Sequence, residues 1–148
     1  MSPFIGPYTA KVDSKNRLNL PAKLRQAAED LLDVCYLCLG LNGCLFLLPR
    51  SEWQSVMTKF ANYGLADENA NFFMRKLMSN TAEVSPDKQN RIVIPPKLAA
   101  LAGITDEKRD VVILGMNRRI EIWEVGRFEA YIEGYGKTYE EVAARLLL

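Results

Sequence analysis

Asp13-Ser14-Lys15-Asn16-Arg17-Leu18-Asn19-Leu20-Pro21-Ala22-Lys23-Leu24 is answered further along the chain by Asp87-Lys88-Gln89-Asn90-Arg91-Ile92-Val93-Ile94-Pro95-Pro96-Lys97-Leu98. Aspartate, asparagine, arginine, proline, lysine and leucine fall at the same places, and Leu18 and Leu20 return as Ile92 and Ile94. A repeated unit has to bury its apolar face against a neighbour, so the duplication fixes the architecture before any single element does.

Each copy can be read outward from its turn. Tyr8, Ala10 and Val12 alternate with Thr9 and Lys11, the period of a half-buried strand. Leu18 and Leu20 alternate with Arg17 and Asn19 in the same way. Between them Asp13-Ser14-Lys15-Asn16 has turn composition, and asparagine tolerates positive φ better than other non-glycine residues. Asp13 and Asp87 can accept hydrogen bonds from turn amides and pair with the arginine that ends each turn. If Leu18, Leu20, Ile92 and Ile94 face a core, the strand period turns Arg17 and Arg91 outward. With Lys15 and Lys88, each copy then holds a basic tip away from the body. A strand hairpin of this kind fits the DNA major groove, and arginine can read guanine edges or neutralise phosphates.

The repeat continues beyond the motif. Val34 to Leu39 and Cys44 to Leu48 flank Gly40-Leu41-Asn42-Gly43, and Asn-Gly between apolar runs signals a hairpin. The second copy has Val111 to Leu114, Gly115-Met116-Asn117-Arg118, then Arg119 to Trp123. A helix follows each time: Trp53, Val56, Met57 and Phe60 answer to Phe128, Tyr131, Ile132 and Tyr135 at helical spacing. Arg118 and Arg119 read as exposed turn residues, and the aromatic residues Trp53, Trp123, Phe72 and Phe73 as core or interface.

Two Asp-x-x-x-Arg motifs, each followed by an aliphatic strand and proline, and Gly40-Leu41-Asn42-Gly43-Cys44-Leu45 ahead of Pro49 and Trp53 resemble the MraZ family of bacterial transcriptional regulators. That family usually has glycine before the arginine, where this chain has Asn16 and Asn90. Asparagine is the next-best residue for a left-handed position, so the loop is expected to survive, slightly stiffened. The resemblance implies an α+β fold, an AbrB-like swapped-hairpin β-barrel formed by two internal repeats with flanking helices. Repeat 1 is placed at 7–54 and repeat 2 at 83–126, with a helical linker at 55–80 and C-terminal helices at 127–148. It also implies double-stranded DNA as partner, at repeated promoter elements upstream of the division and cell-wall gene cluster, the protein's own gene included. Lys15, Arg17, Lys88 and Arg91 would make the contacts, Asp13, Asn16, Asp87 and Asn90 would shape the turns, and the protein would assemble as a homo-oligomeric ring.

Helix signals fill the rest. Pro21 opens a helix carrying Leu24, Ala27, Ala28 and Leu31, and Pro96 to Leu101 is its shorter counterpart, closed by Gly103. Ser51 with Gln54, and Thr138 with Glu141, fit the capping-box pattern. Gly64 is the expected stop for the first of these helices, and Asp67 to Asn80 reads as a helix joining the repeats.

Composition sets bounds. At 148 residues the chain fits one domain or two small ones. No run approaches a membrane span, and Met-Ser-Pro-Phe has no signal-peptide character, so a soluble, cytoplasmic protein is expected, and the family resemblance adds nucleoid association. The net charge of +1 lacks the footprint usual for nucleic-acid binders, but it is polarised. Lys11 to Arg25 carries five basic residues against one acid, and Glu121 to the end carries six acids against three bases. Cys35 and Cys38 mimic a metal spacing, yet residues three apart on a strand point to opposite faces, and the chain has no histidine. No metal or cofactor is expected. Nor is an enzyme: no nucleophile has a matching base, and Asp13 and Asp87, each beside an arginine, are held ionised rather than poised for proton transfer. The rival reading, favoured by near-neutral charge, is a non-enzymatic ring-forming assembly module that does not bind DNA productively.

Overall fold

The same run of elements occurs twice in the computed structural model, which describes residues 2–148. The first copy is β1 (Phe4–Lys11), β2 (Arg17–Asn19), α1 (Ala22–Ala27), a 3-10 turn (Glu29–Leu32), β3 (Cys35–Leu39), β4 (Leu45–Pro49), α2 (Arg50–Phe60) and α3 (Glu68–Met78). The second is β5 (Thr81–Val84), β6 (Arg91–Val93), α4 (Pro96–Leu101), β7 (Asp110–Asn117), β8 (Arg119–Glu124), α5 (Val125–Glu133) and α6 (Tyr139–Leu147). The fold is α+β.

Strand pairing interleaves the copies. One antiparallel sheet runs β1-β7-β8-β4-β3-β5, and β2 pairs with β6 in a second. Exchanging the copies reverses the six-strand order and leaves it unchanged, so a local two-fold axis passes between β4 and β8. The first strand of each copy pairs with the third strand of the other. Neither copy therefore completes its sheet alone.

The expected β1–turn–β2 ladder does not form. Two backbone bonds close each turn: Asp13 N–H donates to the Arg17 carbonyl and Asn16 N–H to the Asp13 carbonyl, both at 3.0 Å, and Asp87 N–H donates to the Arg91 carbonyl and Asn90 N–H to the Asp87 carbonyl, both at 2.9 Å. β2 turns instead to its counterpart β6, while β1 runs an eight-residue ladder with β7 from Phe4↔Asn117 to Lys11↔Asp110. The six-stranded sheet does not close into a barrel either; β1 and β5 are its edges. β5 stops at Val84, and Pro86 just beyond has no N–H with which to extend a ladder.

Both sheets share one core. Val12, Leu18, Leu20, Leu37, Leu45, Leu47, Ile92, Ile94, Val111, Ile113, Ile120 and Ile122 are at most 3% exposed and form one cluster. Burying each such side chain contributes roughly 1.5–3 kcal/mol. The outer face of the six-stranded sheet carries α2 and α5. Trp53 stacks on Tyr36 at 4.7 Å under α2, and Trp123 meets Phe128 and Tyr131 of α5 at 5.4 Å each. Cys35 lies in the central core and Cys38 on the α2 side, so the two thiols face opposite ways. Asn42 (φ 61°) and Gly43 (φ 94°) make the β3–β4 hairpin turn. Gly115 is needed for close approach, since a Cβ there would lie 2.6 Å from Ile5 N of β1.

Local signals were overridden in three places. The helical spacing from Leu24 to Leu31 breaks at Ala28 (φ −148°), and Leu31 enters the core from the 3-10 turn. The Ser51–Gln54 capping box is absent: α2 starts at Arg50, and Ser51 N–H is taken by Asp30 Oδ2 at 3.1 Å from that same 3-10 turn. α2 also ends at Phe60, before Gly64. By contrast, Thr138 caps α6 by accepting from Glu141 N–H at 3.2 Å, and Asp67 caps α3 by accepting from Ala70 N–H at 3.0 Å.

Candidate nucleic-acid interface

The two motif turns fold alike. Asp13 Oδ1 accepts from the backbone N–H of Lys15 (2.9 Å) and Arg17 (2.8 Å), while Oδ2 accepts from Arg17 Nε (2.7 Å). Asp87 repeats this with Gln89 N–H (2.8 Å), Arg91 N–H (3.0 Å) and Arg91 Nε (2.9 Å). Asn16 (φ 59°) and Asn90 (φ 62°) occupy the left-handed position expected of them.

The turns are also tied to each other. β2 and β6 pair as Arg17↔Val93, Leu18↔Ile92 and Asn19↔Arg91. Leu20 N–H donates to the Asn90 carbonyl at 2.9 Å, and Ile94 N–H returns the bond to the Asn16 carbonyl at 2.8 Å. Leu18 and Ile92 thus sit on the local two-fold, and all four sequence-predicted cations ride on one small sheet. Leu18, Leu20, Ile92 and Ile94 face inward, and Lys15 and Lys88 are exposed. The arginines are less exposed than the strand period alone predicts: their side chains retain 31% and 24% accessibility. The aspartate draws each guanidinium back along its own turn. Nε is consumed by that bond, and the Nη edge makes no hydrogen bond among the described residues. That edge can take a phosphate or a guanine bidentately.

The staple fixes the carboxylates as anions. Hydrogen bonding from the Arg17 backbone N–H, then from its side chain, lowers the Asp13 pKa from 3.8 to about 2 despite some desolvation. Asp87 is lowered for the same first reason, the Arg91 N–H. A carboxylate whose folded pKa is depressed contributes stability that is present above its unfolded pKa and disappears as pH falls through its folded one. The denaturation midpoint should therefore decline between about pH 3.8 and about pH 2. In Asp13→Asn/Asp87→Asn that part of the decline should be missing; an unchanged acid limb in the variant would show that the staples do not contribute to it.

Arg109 belongs to the site but has no motif to announce it. From the position just before β7 its Nη1 donates to the Asp13 carbonyl at 2.6 Å, while Nη2 pairs with Asp106. The second copy thereby braces the first copy's turn, and only the β1–β7 pairing makes that visible. Other basic residues near the motifs serve elsewhere. Arg25 Nε bonds the Leu20 carbonyl at 3.0 Å and Lys97 Nζ the Ser79 carbonyl at 3.2 Å. Arg119 is not a plain turn residue: it is half-buried over the Phe46 ring at 4.9 Å and bonded to the buried Glu121 at 3.0 Å. Burial pushes all three thiols up to about 12. Among the described residues no three His, Cys, Asp or Glu side chains gather as a metal-ligand set, and no helix is long and apolar enough to cross a membrane.

The fold and site define a protein in which one turn motif, duplicated and joined across a local two-fold, presents paired cationic tips on a shared two-stranded sheet. A family model described as "MraZ protein, putative antitoxin-like" matches the chain twice, over residues 4–76 and 77–148. Proteins named transcriptional regulator MraZ from Heliobacterium modesticaldum, Halothermothrix orenii and Clostridium tetani are 38%, 36% and 37% identical to it, each match covering 97% of this chain and 96% of the relative. The chain belongs to the MraZ family.

Proposed function

We propose that the protein is a sequence-specific DNA-binding transcription regulator, with no enzymatic activity. Lys15, Arg17, Lys88 and Arg91 contact duplex DNA at repeated promoter elements upstream of the division and cell-wall gene cluster, including the protein's own gene. The observation that carries the reading is the pairing of β2 with β6, which brings two Asp–Arg staples onto one surface with their Nη edges open. In this reading the interleaved copies are the two-repeat form of the AbrB-like swapped hairpins, open rather than closed into a barrel, with repeats at 7–54 and 83–126, and the protein works in the cytoplasm at the nucleoid.

Assembly is part of the same proposal. Leu65, Phe72, Leu146 and Leu147 are 94%, 70%, 78% and 78% exposed, more apolar surface than a lone protomer needs, which supports a homo-oligomeric ring. Linking several weak sites raises overall affinity by roughly 10²–10⁴ without new contacts. That offsets the small net charge of +1.

A gel-shift titration on the DNA upstream of the protein's own gene, repeated across a salt series, tests the proposal. Contacts to six to ten phosphates across a ring would weaken binding roughly 10³–10⁵-fold between 50 and 200 mM salt. No retardation at low salt would leave the assembly module without DNA as the better account.

A further inference from the structure

The two tips are matched in charge and in backbone but not in chemistry. Each turn has one aspartate, one lysine and one arginine, yet the lysine is third in the first turn (Asp13-Ser14-Lys15) and second in the other (Asp87-Lys88-Gln89). Gln89 therefore stands where Lys15 stands. The backbone at the two positions is held identically, with Lys15 N–H on Asp13 Oδ1 at 2.9 Å and Gln89 N–H on Asp87 Oδ1 at 2.8 Å. Both side chains are exposed, and the Gln89 amide has no hydrogen-bond partner among the described residues. On a common backbone the tips thus differ at two side chains, Ser14 against Lys88 and Lys15 against Gln89, and only the second of these exchanges replaces a cation by an amide that both donates and accepts.

We propose that Gln89 is a specificity-determining residue that reads an adenine edge, and that its mismatch with Lys15 makes each protomer read its element in one direction. The inference rests on the DNA-binding reading above. A glutamine amide donates and accepts, which matches adenine N7 and N6 bidentately, whereas lysine offers donors only and suits guanine O6 and N7 or a phosphate. Lys88, one position earlier, keeps the cation that phosphate attraction needs, so the second tip gains base-reading chemistry without losing charge. A local two-fold carrying unlike side chains cannot read a two-fold-symmetric site equally from both ends. The element matched by one protomer is asymmetric.

The test uses the full-length protein and the duplex upstream of its own gene, with each base pair substituted in turn, on wild type, Gln89→Ala and Gln89→Lys. Far-ultraviolet circular dichroism confirms that the variants fold. For Gln89→Ala the salt slope should match wild type, since no charge is removed, while discrimination at one A·T pair falls about 5- to 150-fold. Gln89→Lys should move the preference at that pair towards G·C and steepen the salt slope. If wild type binds with a salt slope and Gln89→Ala keeps full discrimination at every pair, this inference is overturned and the DNA-binding reading stands. If wild type itself does not bind, both fall.

Discussion

Replacing Arg17 and Arg91 together by alanine abolishes retardation of promoter DNA while folding and assembly are retained. The two parts of this outcome have separate causes. The turn survives because Asp13 Oδ1 still accepts from the backbone N–H of Lys15 and Arg17, and Asp87 Oδ1 from those of Gln89 and Arg91. Alanine keeps those donors. What disappears is the Nη edge on each side of the sheet. One bidentate arginine contact is worth about 1–3 kcal/mol, so two per protomer remove about 2–6 kcal/mol, and a ring multiplies the loss. Arg17→Lys/Arg91→Lys separates charge from geometry. Lysine keeps the cation but cannot bond the aspartate through Nε and present a planar fork at once. Its salt slope should stay near that of wild type while affinity falls. Wild-type retardation by the alanine double variant would refute the assignment of these arginines.

What the sequence made legible is what depends on neighbours along the chain. The inward period of Leu18, Leu20, Ile92 and Ile94, the left-handed Asn16 and Asn90, the Asn42-Gly43 hairpin and the Thr138 cap all follow from residues within a few positions. Partner choice was not legible in the same way. β1 pairs with β7 and β2 with β6, both partners far along the chain, and nothing near Tyr8 says so. Ser51 loses its capping box to Asp30 in a similar way: the acceptor arrives through the fold. Within the site, the four cations could be named from the repeat, but the closeness of the two tips required the β2–β6 register. Arg109, a lone arginine outside both motifs, carries no sequence signal for its place on the Asp13 carbonyl.

Leu18→Ala and Ile92→Ala should each lower the stability of the whole protein, and the double variant should lose its cooperative unfolding transition. Both side chains are 0% exposed and face each other directly across the β2–β6 pair. Truncating a buried leucine or isoleucine to alanine costs about 2–5 kcal/mol, since transfer and cavity terms add. Two such losses approach the roughly 5–15 kcal/mol by which a domain is stable at all. The cavities share a wall, so the pair is coupled, and the double loss differs from the sum of the singles. Chemical denaturation followed by circular dichroism and tryptophan fluorescence reads the outcome. With each copy's first strand paired to the other copy's third, either single variant should shift one common transition seen by both probes. Two independent modules would behave otherwise: Leu18→Ala would move one transition, Ile92→Ala another, and each would leave its partner's midpoint in place. DNA binding should fail in the double variant even where residual helix remains, because both cationic tips hang from the strand pair that these two residues anchor to the core.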